Sequence, residues 1–152
     1  MRGTRPGLII IAAVFTVGTA WAHGGASGVV KERMDAMSEI GANMKTIGKT
    51  LKAGGPVERN KISAAAGIVA SHGGKELTNL FPEGSLHEPT EASPEIWREW
   101  SRFSEYAGSL RSSALELKEL TEAGADRQQL GAAFGSLAKS CKSCHEAFRI
   151  KK

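Results

Sequence analysis

No apolar run in this chain reaches the roughly 20 residues that a membrane-spanning helix needs. The run from Leu8 to Val17, followed by Gly18 and Thr19, is about half that length, which argues against a retained membrane anchor. Cysteine is nearly absent. Only Cys141 and Cys144 occur, so a zinc site would have to complete its four ligands from the scattered His23, His72 and His87. No cysteine lies near residue 22 to carry a lipid. Clusters of Lys and Arg interleaved with aromatics are also missing, and nucleic acid is excluded as a partner. Strand-like alternation, internal repeats and low-complexity tracts do not occur, so neither a βαβ redox fold nor a repeat architecture is supported. Aromatic residues make up 6% of the chain.

What is present begins with the N-terminus. Arg2 and Arg5, the apolar run and then Ala20-Trp21-Ala22 form a secretory signal over residues 1–22, with cleavage expected before His23. Its loss removes two arginines and no acid, lowering the formal charge from +4 to +2. Residues 23–152 are long enough for one core and too short for two comfortable ones.

The two cysteines sit three apart and are followed at once by His145, giving Cys141-Lys142-Ser143-Cys144-His145. Export invites a disulfide between such a pair. The adjoining histidine instead completes a c-type haem attachment pattern. Two thiols one helical turn apart can add to the two vinyl groups of one porphyrin, and the neighbouring imidazole reaches the iron from the same side.

Four segments carry helical periodicity. The first, Val29 to Lys52, places Val30, Arg33, Met37, Ile40, Met44, Ile47 and Leu51 at steps of three and four and ends at Ala53-Gly54-Gly55-Pro56. A second, from about Val57 to Asn79, uses Ile62, Ala65, Ala66, Val69 and Leu80 and weakens at Gly73-Gly74. Phe81 to Ser93 is too broken by Pro82, Gly84 and Pro89 for regular structure and reads as a crossover loop. The third helix is capped by Ser93, with Pro94 first, and presents Ile96, Trp100, Phe103, Ala107, Leu110, Ala114 and Leu117. The fourth follows Gly124, is capped by Asp126, and carries Leu130, Phe134, Leu137, Cys141, Cys144 and Phe148 on one stripe. Both cysteines therefore share the core-facing seam. The expected fold is an all-α antiparallel four-helix bundle with haem c buried against the C-terminal helix. The Ala and Gly of its first two helices leave volume for the porphyrin.

Val30-Lys31-Glu32-Arg33 running to Met37, Pro94-Glu95-Ile96-Trp97, and Ala132-Ala133-Phe134 leading to Cys141 through Arg149 together resemble the class II c-type cytochromes, the cytochrome c prime family with its low-spin relatives. The likeness spans the mature chain. It implies a left-handed bundle, a periplasmic location and frequent homodimers. Cys141 and Cys144 match the thioether cysteines and His145 the proximal ligand, while Arg33 matches an arginine beside the haem propionates and Met34 a haem-contact position. Arg33 stands out independently, because a charge among Val30, Met37 and Ile40 costs several kcal/mol unless paired or led to water along its stem.

Three functions compete. Electron transfer between redox proteins would use a six-coordinate iron with His145 and Met37, for which Met34 and Met44 are rival donors. Binding of nitric oxide or carbon monoxide would need an open distal site beneath a merely steric methionine. Haem catalysis ranks lowest, since the first helix offers only Met34, Met37, Met44 and Arg33 and no polar acid or base beyond the guanidinium. Electron transfer is the preferred reading. Lys139, Lys142, Arg149, Lys151 and Lys152 form a basic rim that either steers acidic partners or is simply solvated. Secretion in a host with haem-maturation machinery should yield an intact mass equal to residues 23–152 plus a single haem. A mass showing only an internal disulfide would end the haem reading.

Overall fold

The computed structural model describes residues 25–150. The leader at 1–22, His23, Lys151 and Lys152 lie outside the described residues. Among the described residues six helices occur in chain order: α1 (Gly28–Lys52), α2 (Arg59–Ser71), α3 (Lys75–Thr78), α4 (Glu95–Arg98), α5 (Trp100–Glu122) and α6 (Arg127–Phe148). The four long ones, α1, α2, α5 and α6, form the bundle.

Side-chain bonds between neighbours fix their directions. Ser63 near the start of α2 donates to Glu122 at the end of α5 (2.8 Å). Just past the other end of α2, the Gly74 N–H bonds Ala107 O (2.7 Å), so α2 and α5 run antiparallel. Arg127 at the start of α6 donates to Leu51 O (2.5 Å) and Gly55 O (2.7 Å), which sets α6 antiparallel to α1. The core between them contains Ile47, Ile62, Val69, Leu117, Leu130 and Leu137, all fully buried. Each contributes about 1.5–3 kcal/mol by leaving water.

The turn between α5 and α6 follows its sequence signals. Gly124 takes φ +83° after α5, and Asp126 then opens α6 with a capping box: its carboxylate accepts the Gln129 N–H while the Gln129 side chain accepts the Asp126 N–H.

Two expected helices are interrupted. The second stops at Ser71, and α3 resumes only for Lys75–Thr78, burying Leu77. The reason is a close approach to α5: a Cβ on Gly73 would stand 2.7 Å from the Arg111 backbone nitrogen and 2.8 Å from its Cα. The third helix breaks after its first turn, where Glu99 leaves helical geometry (φ −115°, ψ 42°). Ile96 is anchored in the core and the Trp97 indole N–H donates to Phe81 O (3.0 Å), so α4 follows the crossover rather than α5. Trp100, expected on the seam, is 41% exposed as a result. Ser93 does assist the start of this segment, accepting the Glu95 N–H at 3.2 Å.

Aromatic rings collect at one end of the bundle. Phe103 packs edge-on against Phe81 (4.9 Å between centroids) and against Phe148 (5.5 Å). The same end is stitched by backbone bonds from Ser93 N to Phe148 O (2.9 Å) and from Ile150 N to Glu91 O (2.8 Å), with an isolated antiparallel bridge between Ala92 and Arg149.

Gly73→Ala should therefore lower stability by about 1–3 kcal/mol in urea unfolding of the holoprotein, because the added carbon meets backbone that cannot swing aside. Gly67→Ala, where the new carbon would meet only the flexible Lys118 chain at 3.8 Å, should be neutral or stabilising. Equal losses in the two variants would refute the close-approach explanation.

Candidate functional site

Helix α6 carries the Cys-x-x-Cys-His sequence in its last two turns. Cys141 and Cys144 are half-buried, pack against the apolar core and form no disulfide. The Cys141 thiol donates to Leu137 O at 3.5 Å, the carbonyl one turn earlier. His145, one position further round, is exposed in the described chain. Among the described residues no three His, Cys, Asp or Glu side chains gather as a metal cluster.

Burial pushes both thiols up, Cys144 to about 11 with a further contribution from Cys141. A catalytic dithiol needs the opposite shift, toward a stable thiolate. Partial loss of solvent around the ring, and then the Arg149 charge, lower the pKa of His145, favouring the neutral imidazole that ligates metals.

Helix α1 faces this turn. A Cβ on Gly48 would touch the Phe134 ring at 3.4 Å, which marks one level shared by α1 and α6. Met37 lies eleven residues before Gly48 and His145 eleven residues after Phe134. At the helical rise both are about 16 Å along the antiparallel pair from that contact. Met44 falls about 10 Å short of this level, and Met34 about one turn beyond it. Met37 and Met44 pack on the core, and Met34 is half-buried.

Arg33 is buried, at 4% exposure, as its seam position requires. Its Nη2 donates to Ser85 O (2.6 Å) and Ser85 Oγ (2.8 Å), and the guanidinium lies over the Phe81 ring (4.6 Å). Nη1 is buried with no hydrogen-bond partner, and Arg33 forms no ion pair with a described carboxylate. Burial lowers its pKa. Its chain does not snorkel to water.

Paired thiols on the core edge, a neutral imidazole beside them and a buried cation lacking an anion suit a covalently held, propionate-bearing porphyrin. Ser85, the partner of Arg33, was not singled out in sequence. It lies 52 positions away in an irregular loop, and no local pattern marks it.

Other expectations resolve differently. Of the described rim residues, Lys142 pairs with Glu146 (3.7 Å) and Arg149 with Glu91. Lys139 remains without a partner among the described residues. His72 pairs with Glu39 (2.8 Å), joining α2 to α1. A cavity of about 470 Å³ lined by Thr78, Phe81, Trp97 and Trp100 includes none of the expected haem residues.

Comparison with known proteins bears on the whole described chain. Residues 28–149 match the family model described as Cytochrome C'. Cytochrome c-556 of Agrobacterium tumefaciens is 29% identical over 126 residues, covering 83% of this chain and all of the relative. Cytochrome c' of Rhodospirillum rubrum is 32% identical over 121 residues, covering 79% of this chain and 80% of the relative. Among solved structures, cytochrome c' from Rhodopseudomonas palustris superposes with a TM-score of 0.74 at 27% identity, covering 84% of this chain and 99% of that one. A nitric oxide complex of a variant of cytochrome c prime from Alcaligenes xylosoxidans gives 0.71 at 28% identity, covering 82% and 94%. With the bundle, the seam-borne cysteines and this match in agreement, the chain belongs to the cytochrome c' family, a class II c-type cytochrome whose members carry covalently bound haem c.

Proposed function

We propose that the chain is an exported, periplasmic electron carrier in which Cys141 and Cys144 hold the haem as thioethers, His145 ligates the iron from α6, and Met37 ligates it from α1. Arg33 and Met34 lie at the haem edge in this reading. The observation that supports it best is the shared level of Met37 and His145 on adjacent antiparallel helices, with Met37 packed toward the core. Met44 is about 10 Å out of level, which disfavours it as the donor. When bound, the haem supplies a one-electron ferric and ferrous couple.

The chain's own residues tune that couple. A thioether is a soft donor that favours ferrous iron and so raises the potential. Leu137 before the motif and Phe148 after it are buried, so the turn bearing His145 is held at both ends and changes little on electron exchange. No described helix is long and apolar enough to cross a membrane, consistent with a protein that meets other redox proteins by diffusion. Among the described rim residues, Lys139 is the unpaired cation that an acidic partner could meet.

A second reading has its own support. The Alcaligenes xylosoxidans relative was solved as a nitric oxide complex. In that reading Met37 is a steric lid over a five-coordinate iron, and the function is binding of nitric oxide or carbon monoxide. Self-association into a homodimer is compatible with both.

Absorption and magnetic spectra separate the readings. The ferric wild type should be low-spin with a thioether-to-iron charge-transfer band. Met37→Ala should abolish that band, give high-spin iron, admit carbon monoxide, and lower the potential by about 60 mV or more, tenfold in the reduction equilibrium. A wild type already high-spin in both oxidation states would sink methionine ligation and promote gas binding.

A further inference from the structure

Arg33 carries a problem that the described chain does not solve. Its guanidinium offers five N–H donors and is always charged. Nε reaches Val29 O only weakly, at 3.5 Å, and both bonds from Nη2 go to the single residue Ser85. These acceptors are neutral. The two donors on Nη1 are buried and unpartnered. A buried charge in that state is strongly unfavourable, and an anion against Nη1 would relieve it.

Ser85 is well built for holding such a group. It is 5% exposed, and its N–H closes a turn onto Pro82 O (3.2 Å) in which Gly84 takes φ +80°. Immediately before Pro82, Phe81 is pinned by the Trp97 bond to its carbonyl, and its ring lies against the guanidinium. Two acceptors on one residue define the plane of Nη2 as well as its place. Fixing that plane also fixes where Nη1 points, because the guanidinium is rigid.

We infer that Ser85 is a positioning residue, which orients the Arg33 guanidinium so that Nη1 is presented to a haem propionate. The inference rests on the reading of Arg33 as a haem-edge residue. Without the Ser85 hydroxyl, the backbone carbonyl alone holds Nη2, the guanidinium can turn, and its charge acts less fully on the haem. A cation beside the haem favours the ferrous form, so loss of orientation lowers the potential.

The test is a double-mutant cycle on holoprotein, with midpoint potentials from spectroelectrochemical titration and the propionate bending band from resonance Raman spectra. Ser85→Ala should lower the potential by less than Arg33→Leu does, and should move the Raman band. In the Arg33→Leu background it should change neither. Ser85→Thr, which keeps the hydroxyl, should stay at the wild-type values. Equal shifts from Ser85→Ala in both backgrounds, or no shift in the wild type, would overturn the positioning role. If Arg33→Leu itself leaves potential and band unchanged, the propionate reading of Arg33 fails, and the inference falls with it for that separate reason. Should Arg33→Leu not load haem, Arg33→Gln completes the cycle.

Discussion

How far α6 slides along α1 is fixed by few contacts, and the site depends on all of them. Phe134 sits in the space left by Gly48, and Arg127 reaches the carbonyls of Thr50 and Leu51 at the end of α1 and of Gly55 in the turn after it. A slip of one helical turn would move His145 by about 5 Å relative to Met37. It would also carry the two cysteines past the stripe they face. The capping box at Asp126 belongs to the same constraint, since it fixes where α6 starts and hence where its last turns fall.

A second constraint acts through charge. Most ion pairs in the molecule are surface pairs one turn apart, such as Lys31 with Asp35 and Lys118 with Glu122, and contribute little. Arg33 differs because it is buried and its neighbours are a serine and a phenyl ring. An unpartnered nitrogen on a buried guanidinium is unfavourable by itself, which is why Arg33 anchors the proposed propionate contact. The crossover that supplies Ser85 is in this way tied to α1 through Arg33, although it holds no residue of the attachment motif.

Much of this was legible in the sequence because it is periodic or local. The seams of α1, α5 and α6, the Asp126 cap and the placement of both cysteines on a core stripe follow from steps of three and four and from turn chemistry. What escaped depends on contacts between distant residues. Gly73-Gly74 reads as a weak point in a helix, and only the Arg111 backbone beside it shows why the helix must stop there. Trp100 fits the apolar period of an unbroken helix, but the break at Glu99 sends it outward. Arg149 reads as part of a basic rim because the sequence does not reveal that Glu91, 58 positions away, lies beside it.

The stitching of the crossover to the end of α6 bears on how the molecule opens. Ser93 to Phe148, Glu91 to Ile150 and the Ala92–Arg149 bridge tie a loop with little regular structure to a helix terminus, two kinds of segment that elsewhere fray independently. Joined in this way, they form one cooperative unit. When that unit opens, the buried Phe148 end of α6 and the crossover are released together, so the two segments share one opening instead of fraying separately.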